Sequence, residues 1–231
     1  RLHFVRELGA GKTTLLHHAA LSGNVESLKV ILNLYPESEH QQAVNTQDFK
    51  GDTVLHHAAQ SGKIECLNTI LGLYPESERL QIVSTKDRNG DILLHHAAES
   101  LIDSPECIKV ILSLYPESEH LQALDLPNRG GTTVLQCSVR ACNFETFKSL
   151  IALYPASRYK QVLTTENRFG YNILQLAVQS KRLQSVRAIL ALYPESERLQ
   201  AVKTKDRSGM TLLHHAGASC KAECVKLILA L

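Results

Sequence analysis

The stretch that decides the fold is "GDTVLHHAAQSGKIECL", from Gly51 to Leu67. Thr53 suits a helix N-terminus, Leu55, Ala58 and Ala59 make a narrow apolar face, and Gly62 suits a helix C-cap. Ile64, Leu67, Ile70 and Leu71 then follow at the spacing of a second helix. The same order returns in "GDILLHHAAESLIDSPECI" from Gly90 and "GMTLLHHAGASCKAECV" from Gly209. Altered copies are "GTTVLQCSVRACNFETF" from Gly131 and "GYNILQLAVQSKRLQSV" from Gly170. The register is regular. The polar residue after leucine stands at His17, His56, His95, Gln136, Gln175 and His214, in steps of 39, 39, 41, 39 and 39. The tyrosine of LYP, at positions 35, 74, 115, 154 and 193, keeps step, and the extra two residues lie in "ESLIDSPE" (Glu99–Glu106).

A period of this length is the mark of a stacked array. Each unit opens with a polar turn such as "KDRNGD" (Lys86–Asp91), in which Asp or Asn precedes glycine by three residues: Asp48, Asp87, Asn128, Asn167 and Asp206. Such side chains bond nearby backbone N–H groups in turns. The proline of LYP ends the second helix, and the residues after it, such as "ESERLQIV", add a further helical turn with Leu80 and Val83 inward. One unit cannot enclose its apolar face, but a stack can. The expected fold is all-α: a single α-solenoid domain over 1–231, with units 1–47, 48–86, 87–127, 128–166, 167–205 and an incomplete 206–231.

The order G-x-T-x-L-H-x-A-A followed by glycine resembles the ankyrin repeat across nearly the whole chain. A HEAT-like array has a closer period but does not explain that order. The chain departs from the ankyrin pattern in lacking the proline after threonine, where Val54, Leu93 and Val134 stand, and in its longer period. The added length falls in "YPESERLQAV". The resemblance implies a noncatalytic, protein-binding array. It implies that the first histidine of each HH pair, or Gln136 and Gln175 in its place, bonds backbone near a turn and ties neighbouring repeats. Long, leucine-rich units are also similar to ankyrin effectors of intracellular bacteria, which implies a host-cell cytoplasm. Arg1 at the start and LILAL at the end mark the chain as a piece of a longer protein, and a catalytic region elsewhere in it would use the array for targeting.

Composition narrows the functions. A net charge of +2 with no clustered basic residues gives no nucleic-acid or anionic-membrane surface, and no apolar run is long enough to span a bilayer. Six cysteines without a C-x-x-C pair suit a reducing, intracellular compartment and a monomer. Nucleotide at "GAGKT" (Gly9–Thr13) is excluded by spacing, because a phosphate loop ending at Lys12 needs glycine where Arg6 stands. In repeat register Thr14 aligns with Thr53, and Lys12 with Gly51. Cys66, Cys107 and Cys224 recur at one helical position and read as packing residues, while Cys142 and Cys220 take the C-cap glycine position. No unique nucleophile, cofactor site or metal site emerges, since adjacent histidines on a helix diverge by about 100°.

Two surfaces remain for a partner protein. One is a stripe on the first helices, containing His57, His96, Cys137 and Leu176, with Arg140, Gln179 and Ser219 beside it. The other is the turn tips: Arg88, Arg129, Arg168, Phe169, Tyr171 and Arg207, with Phe49 and Lys50. Read as phosphate contacts, the four tip arginines instead suggest a nucleic-acid reader, which the low aromatic content of 5% and the absence of tryptophan oppose.

Overall fold

The computed structural model describes residues 8–218 and 222–231; Ser219 and Cys220 lie outside them. Helices make up the regular structure throughout, with no strand among the described residues. The chain divides into two compact units, Arg1–Ala123 and Leu124–Leu231. In the first, α1 (Leu15–Ser22), α2 (Val25–Leu32) and α3 (His40–Val44) are followed by α4 (Val54–Ser61), α5 (Ile64–Leu71) and α6 (Glu76–Val83). A third repeat adds α7 (Leu93–Ala98), α8 (Glu106–Leu112) and α9 (His120–Asp125). The second unit has α10 (Val134–Arg140), α11 (Phe144–Ile151), α12 (Tyr159–Thr164), α13 (Ile173–Gln179), α14 (Leu183–Ala191) and α15 (Glu195–Lys203). It ends with α16 (Leu212–Ala218) and α17 (Ala222–Leu229).

Within each unit the first helices of successive repeats pack side by side, α1 on α4 on α7 and α10 on α13 on α16. Alanine permits that approach: Ala20, Ala58, Ala59, Ala97, Ala98 and Ala177 are fully enclosed. Leu55, Leu67, Ile70 and Cys66 fill the space between first and second helices. Each such large aliphatic side chain contributes about 1.5–3 kcal/mol when fully buried.

The lengthened period is a third helix. Pro36, Pro75, Pro116, Pro155 and Pro194 each stop the second helix and stand just before the next helical turn, with φ between −52° and −67°. Glu76 and Glu78, or Glu195 and Glu197, complement the N-terminal end of that helix's dipole. Val44, Val83, Leu124, Leu163 and Val202 anchor it in the core, whereas Leu80 is half-buried. The residue five beyond the tyrosine then reaches back to the tyrosine's own carbonyl. His40 Nε2 and Arg79 Nε lie 3.2 Å from the carbonyls of Tyr35 and Tyr74, and Arg198 Nε 3.3 Å from that of Tyr193. The tyrosine is buried at Tyr35, Tyr74, Tyr154 and Tyr193 and half-buried at Tyr115, and from the second repeat on its hydroxyl reaches the preceding repeat, as a buried phenol requires. Tyr74 donates to Asn45 at 2.6 Å, and Tyr154 to Asp125 at 2.9 Å.

Two C-caps show what glycine does. Gly23 and Gly62 take left-handed φ of 69° and 73°, and Lys63 and Ile102 lie where their Cβ atoms would be. The two-residue insertion explains the second case: its loop folds onto the repeat before it, with Leu101 N–H donating to the Gln60 carbonyl at 2.7 Å. Cys142 and Lys181 hold the same position with φ of 66° and 61°, which costs about 1 kcal/mol for a residue with a Cβ. Gly62→Ala is expected to lower stability by about 2 kcal/mol, from strain plus the clash with Ile102. Cys142→Gly is expected to stay within about 0.5 kcal/mol of the wild type. Urea midpoints of both variants check the pair.

Candidate functional site

The turn that opens each repeat is built around one carboxylate or amide. Asp48 Oδ1 accepts from the N–H groups of Lys50 (2.7 Å) and Asp52 (3.0 Å), and Asp87 Oδ1 from Asn89 (2.7 Å) and Asp91 (2.8 Å). Asn128, Asn167 and Asp206 repeat the arrangement. The glycine three residues on closes the turn with positive φ, 84° at Gly51. Lys12, aligned with it, adopts φ of 61°, so "GAGKT" is a repeat turn. Neighbouring turns join through backbone: Phe49 N–H donates to the Gly11 carbonyl, Arg88 to Lys50 and Arg168 to Gly130.

The first polar residue of α1, α10 and α13 has two partners. In α1, Nδ1 of His17 accepts from the Thr14 N–H at 3.1 Å, which leaves the proton on Nε2. Nε2 then faces the Asp52 carbonyl of the next repeat at 3.2 Å. Gln136 does the same with an amide: Oε1 accepts from Thr133 N–H at 3.2 Å, and Nε2 donates to the Thr165 carbonyl at 2.8 Å. Gln175 reaches the Thr204 carbonyl at 3.4 Å. His56 receives the Thr53 N–H and faces the Thr85 backbone, although its Nε2 makes no well-aligned hydrogen bond. Burial holds His56 neutral, lowering its pKa to about 3.

The second polar residue turns back on its own repeat. His57 Nε2 donates to Asp48 Oδ2 at 3.3 Å, and His215 Nε2 to Asp206 Oδ2 at 2.9 Å. His96 Nε2 lies 3.4 Å from Asp87 Oδ2 and 3.5 Å from Asp52 Oδ1. Aspartate in the turn thus accompanies histidine nine residues on. Where the turn has Asn128 or Asn167, an apolar Cys137 or Leu176 replaces the ring. The rings also touch across repeats, edge to face: His17 with His57 at 5.0 Å, His56 with His96 at 4.9 Å.

Around His96 the charges are closely coupled. Burial pushes the Asp52 carboxyl well above the usual range, and its contact with Asp87 pushes the same way. Burial would raise Asp87 too, but His96, Asp52 and the Asp91 N–H hold it below the usual range. His96 is raised: the Asp87 contact and the charges of Asp52, Asp87 and Asp91 outweigh its burial.

Residues 3–81 match the family model for ankyrin repeats, in three copies. That part of the chain carries ankyrin repeats. No curated protein matches it. Beyond residue 81 the same turn, capping contacts and forward-reaching amides recur in register.

On this ankyrin-like scaffold the expected surface divides in two. Arg88, Arg129, Arg168, Phe169 and Arg207 are exposed at turn tips, and Arg140 is exposed at the end of α10. Tyr171 is half-buried, stacked with Phe169 at 6.2 Å and edge-on to His215 at 5.4 Å. The first-helix stripe is not an open surface. Cys137 is fully buried and Leu176 is 4% exposed, so both pack against neighbours and cannot present themselves to a partner. The side chains of His57 and His96 are 12% exposed and engaged with aspartates; Gln179 is half-buried beside His215. What the motif reading missed is Asp48, Asp87 and Asp206 as partners of the second histidine. The nine-residue co-occurrence was the signal available.

The neutral tie makes acid stability testable. A histidine with folded pKa depressed from 6.5 to about 3 contributes stability above pH 6.5 and loses it as pH falls toward 3. His57, lowered to about 4 chiefly by burial, adds in the same direction. His56→Gln, with the residue that α10 and α13 carry, is expected to remove about 2 kcal/mol of the stability lost between pH 7 and 5. Urea unfolding of wild type and variant at the two pH values checks it; equal losses would count against the neutral tie.

Proposed function

We propose that the chain is a protein-interaction scaffold that binds its partner through the turn tips. Ankyrin repeats are in general protein–protein interaction modules. The observation that carries the reading is the outward setting of large apolar and cationic side chains on rigid turns. Phe169 is 62% exposed and Phe49 53% exposed, each next to exposed Arg168 or Lys50. Both sit on backbone held by an aspartate or asparagine and by the neighbouring turn. Aromatic and arginine side chains are the residue types that anchor interfaces, and pre-ordered loops lose little entropy on binding.

The scaffold reading also covers the rest of the chain's chemistry. Cys66 and Cys107 are buried thiols whose pKa burial raises, to about 11 at Cys107, the opposite of an activated nucleophile. No described helix is long and apolar enough to cross a membrane. We place the scaffold in a reducing, intracellular compartment, the host-cell cytoplasm if it serves a bacterial effector, and take it as a monomer. Any catalysis belongs to other regions of the full protein, for which the array selects the target.

Arg168→Ser combined with Phe169→Ser is expected to leave the melting temperature unchanged, both side chains being exposed. The variant should lose the partners that the wild-type chain captures from cell extract. Undiminished recovery by the variant would remove the turn tips of the second unit from the proposal.

A further inference from the structure

We infer that Asp52, Asp87 and His96 form a binding site for one divalent transition-metal ion, of which Zn²⁺ fits best, clamping the second repeat to the third. The three side chains come from two successive turns and the helix after the second: Asp52 precedes α4, Asp87 lies in the next turn, and His96 is in α7. Their ligand atoms all lie within 4.8 Å of one another. His96 Nε2 is 3.4 Å from Asp87 Oδ2 and 3.5 Å from Asp52 Oδ1. Bonds of 2.0–2.1 Å in a tetrahedron set neighbouring ligands about 3.3–3.4 Å apart, so these spacings need almost no adjustment.

The orphaned atoms point to an ion. Asp52 Oδ1 and His96 Nε2 are buried and neither has a hydrogen-bond partner, although they face each other. The Asp52 side chain is only 7% exposed, and an uncompensated buried carboxylate oxygen is costly. A cation between the two satisfies both. Asp87 is oriented for the task, because the Asn89 and Asp91 N–H groups occupy Oδ1, while Oδ2 faces His96 and accepts only a long bond of 3.4 Å from Asn89 Nδ2. Three protein ligands leave one tetrahedral position for a water that enters with the ion. A neighbouring trio, Asp48, Asp52 and His57, is less suited, since His57 Nε2 already donates to Asp48. Two carboxylates with an imidazole make a hard-to-borderline donor set, suited to Zn²⁺ rather than to Ca²⁺, which takes six or more oxygens. Asp91 holds the position of Asp52 one repeat later, but the repeat after it offers Asn128 and Cys137 where Asp87 and His96 stand, so the site is singular. The corresponding residues of the last three repeats are Thr132, Tyr171 and Met210.

The test uses the purified chain freed of metal by a chelator and titrated with ZnCl₂ by calorimetry. CoCl₂ serves as the absorbing substitute. The expected result is one ion per chain and visible Co²⁺ bands of a four-coordinate N/O site. Asp52→Thr and His96→Gln should each weaken Zn²⁺ binding at least about tenfold, the least that loss of even an outer partner costs. Asp91→Thr, at the same register one repeat later, should keep it. Asp52→Thr removes a buried carboxyl, so the metal-free variant should melt no lower than the wild type. If His96→Gln fails to fold, Asp52→Thr decides alone. Absence of stoichiometric binding at millimolar Zn²⁺ overturns the site, as does equal binding by the wild type and Asp52→Thr. Loss of binding in Asp91→Thr overturns the assignment of ligands.

Discussion

The structure depends on a polar side chain that must accept at one end and donate at the other. In α1 and α10 that side chain receives the N–H that opens its own helix and offers a proton to a carbonyl of the next repeat. Imidazole meets the demand only when neutral and only in one tautomer; glutamine meets it always. The repeats need close helices, close helices need alanine, and alanine leaves backbone near a polar group that must be satisfied. His17 is fully enclosed and Gln136 and Gln175 are 1% exposed, so water cannot substitute. Histidine and glutamine are interchangeable here because the geometry of donor and acceptor matches, not because their shapes do.

Outside that seam each repeat is an ankyrin-like unit with a third helix attached. The helix is short and has only one or two buried side chains of its own, so it could not persist alone. It is held from both sides: at its start by proline and by the side chain that returns to the tyrosine carbonyl, at its end by the next tyrosine's hydroxyl. Lengthening the repeat therefore adds a layer with its own polar fastenings and leaves the first two helices in their ankyrin relation.

How much of this was legible depended on repetition. The register and the helix pair were readable because each is copied at constant spacing, and the role of His17, Gln136 and Gln175 followed from the resemblance to the ankyrin repeat. The partnership of turn aspartate with second histidine was readable in principle. Asp48/His57, Asp87/His96 and Asp206/His215 keep it, and Asn128/Cys137 and Asn167/Leu176 lose both partners together. Reading the stripe as an exposed face concealed it, since a helix pattern shows which residues share a side but not whether the next repeat covers that side. Asp52 could not be found this way. It shares its position with Asp91 among polar and apolar alternatives, and its partners belong to the following repeat, a contact that no single unit's pattern contains.

The direction of the fastenings has a consequence for the order of assembly. Each tyrosine hydroxyl looks back about 30 residues, to Asn45 from Tyr74 and to Asp125 from Tyr154. Each histidine or glutamine looks forward by a similar distance, as Gln136 does to Thr165 and Gln175 to Thr204. A repeat leaving the ribosome thus finds its tyrosine's partner already made, while its amide or imidazole waits for sequence not yet synthesised. Growth of the array is vectorial: the outer layer closes behind the advancing end, and the inner seam closes one repeat later.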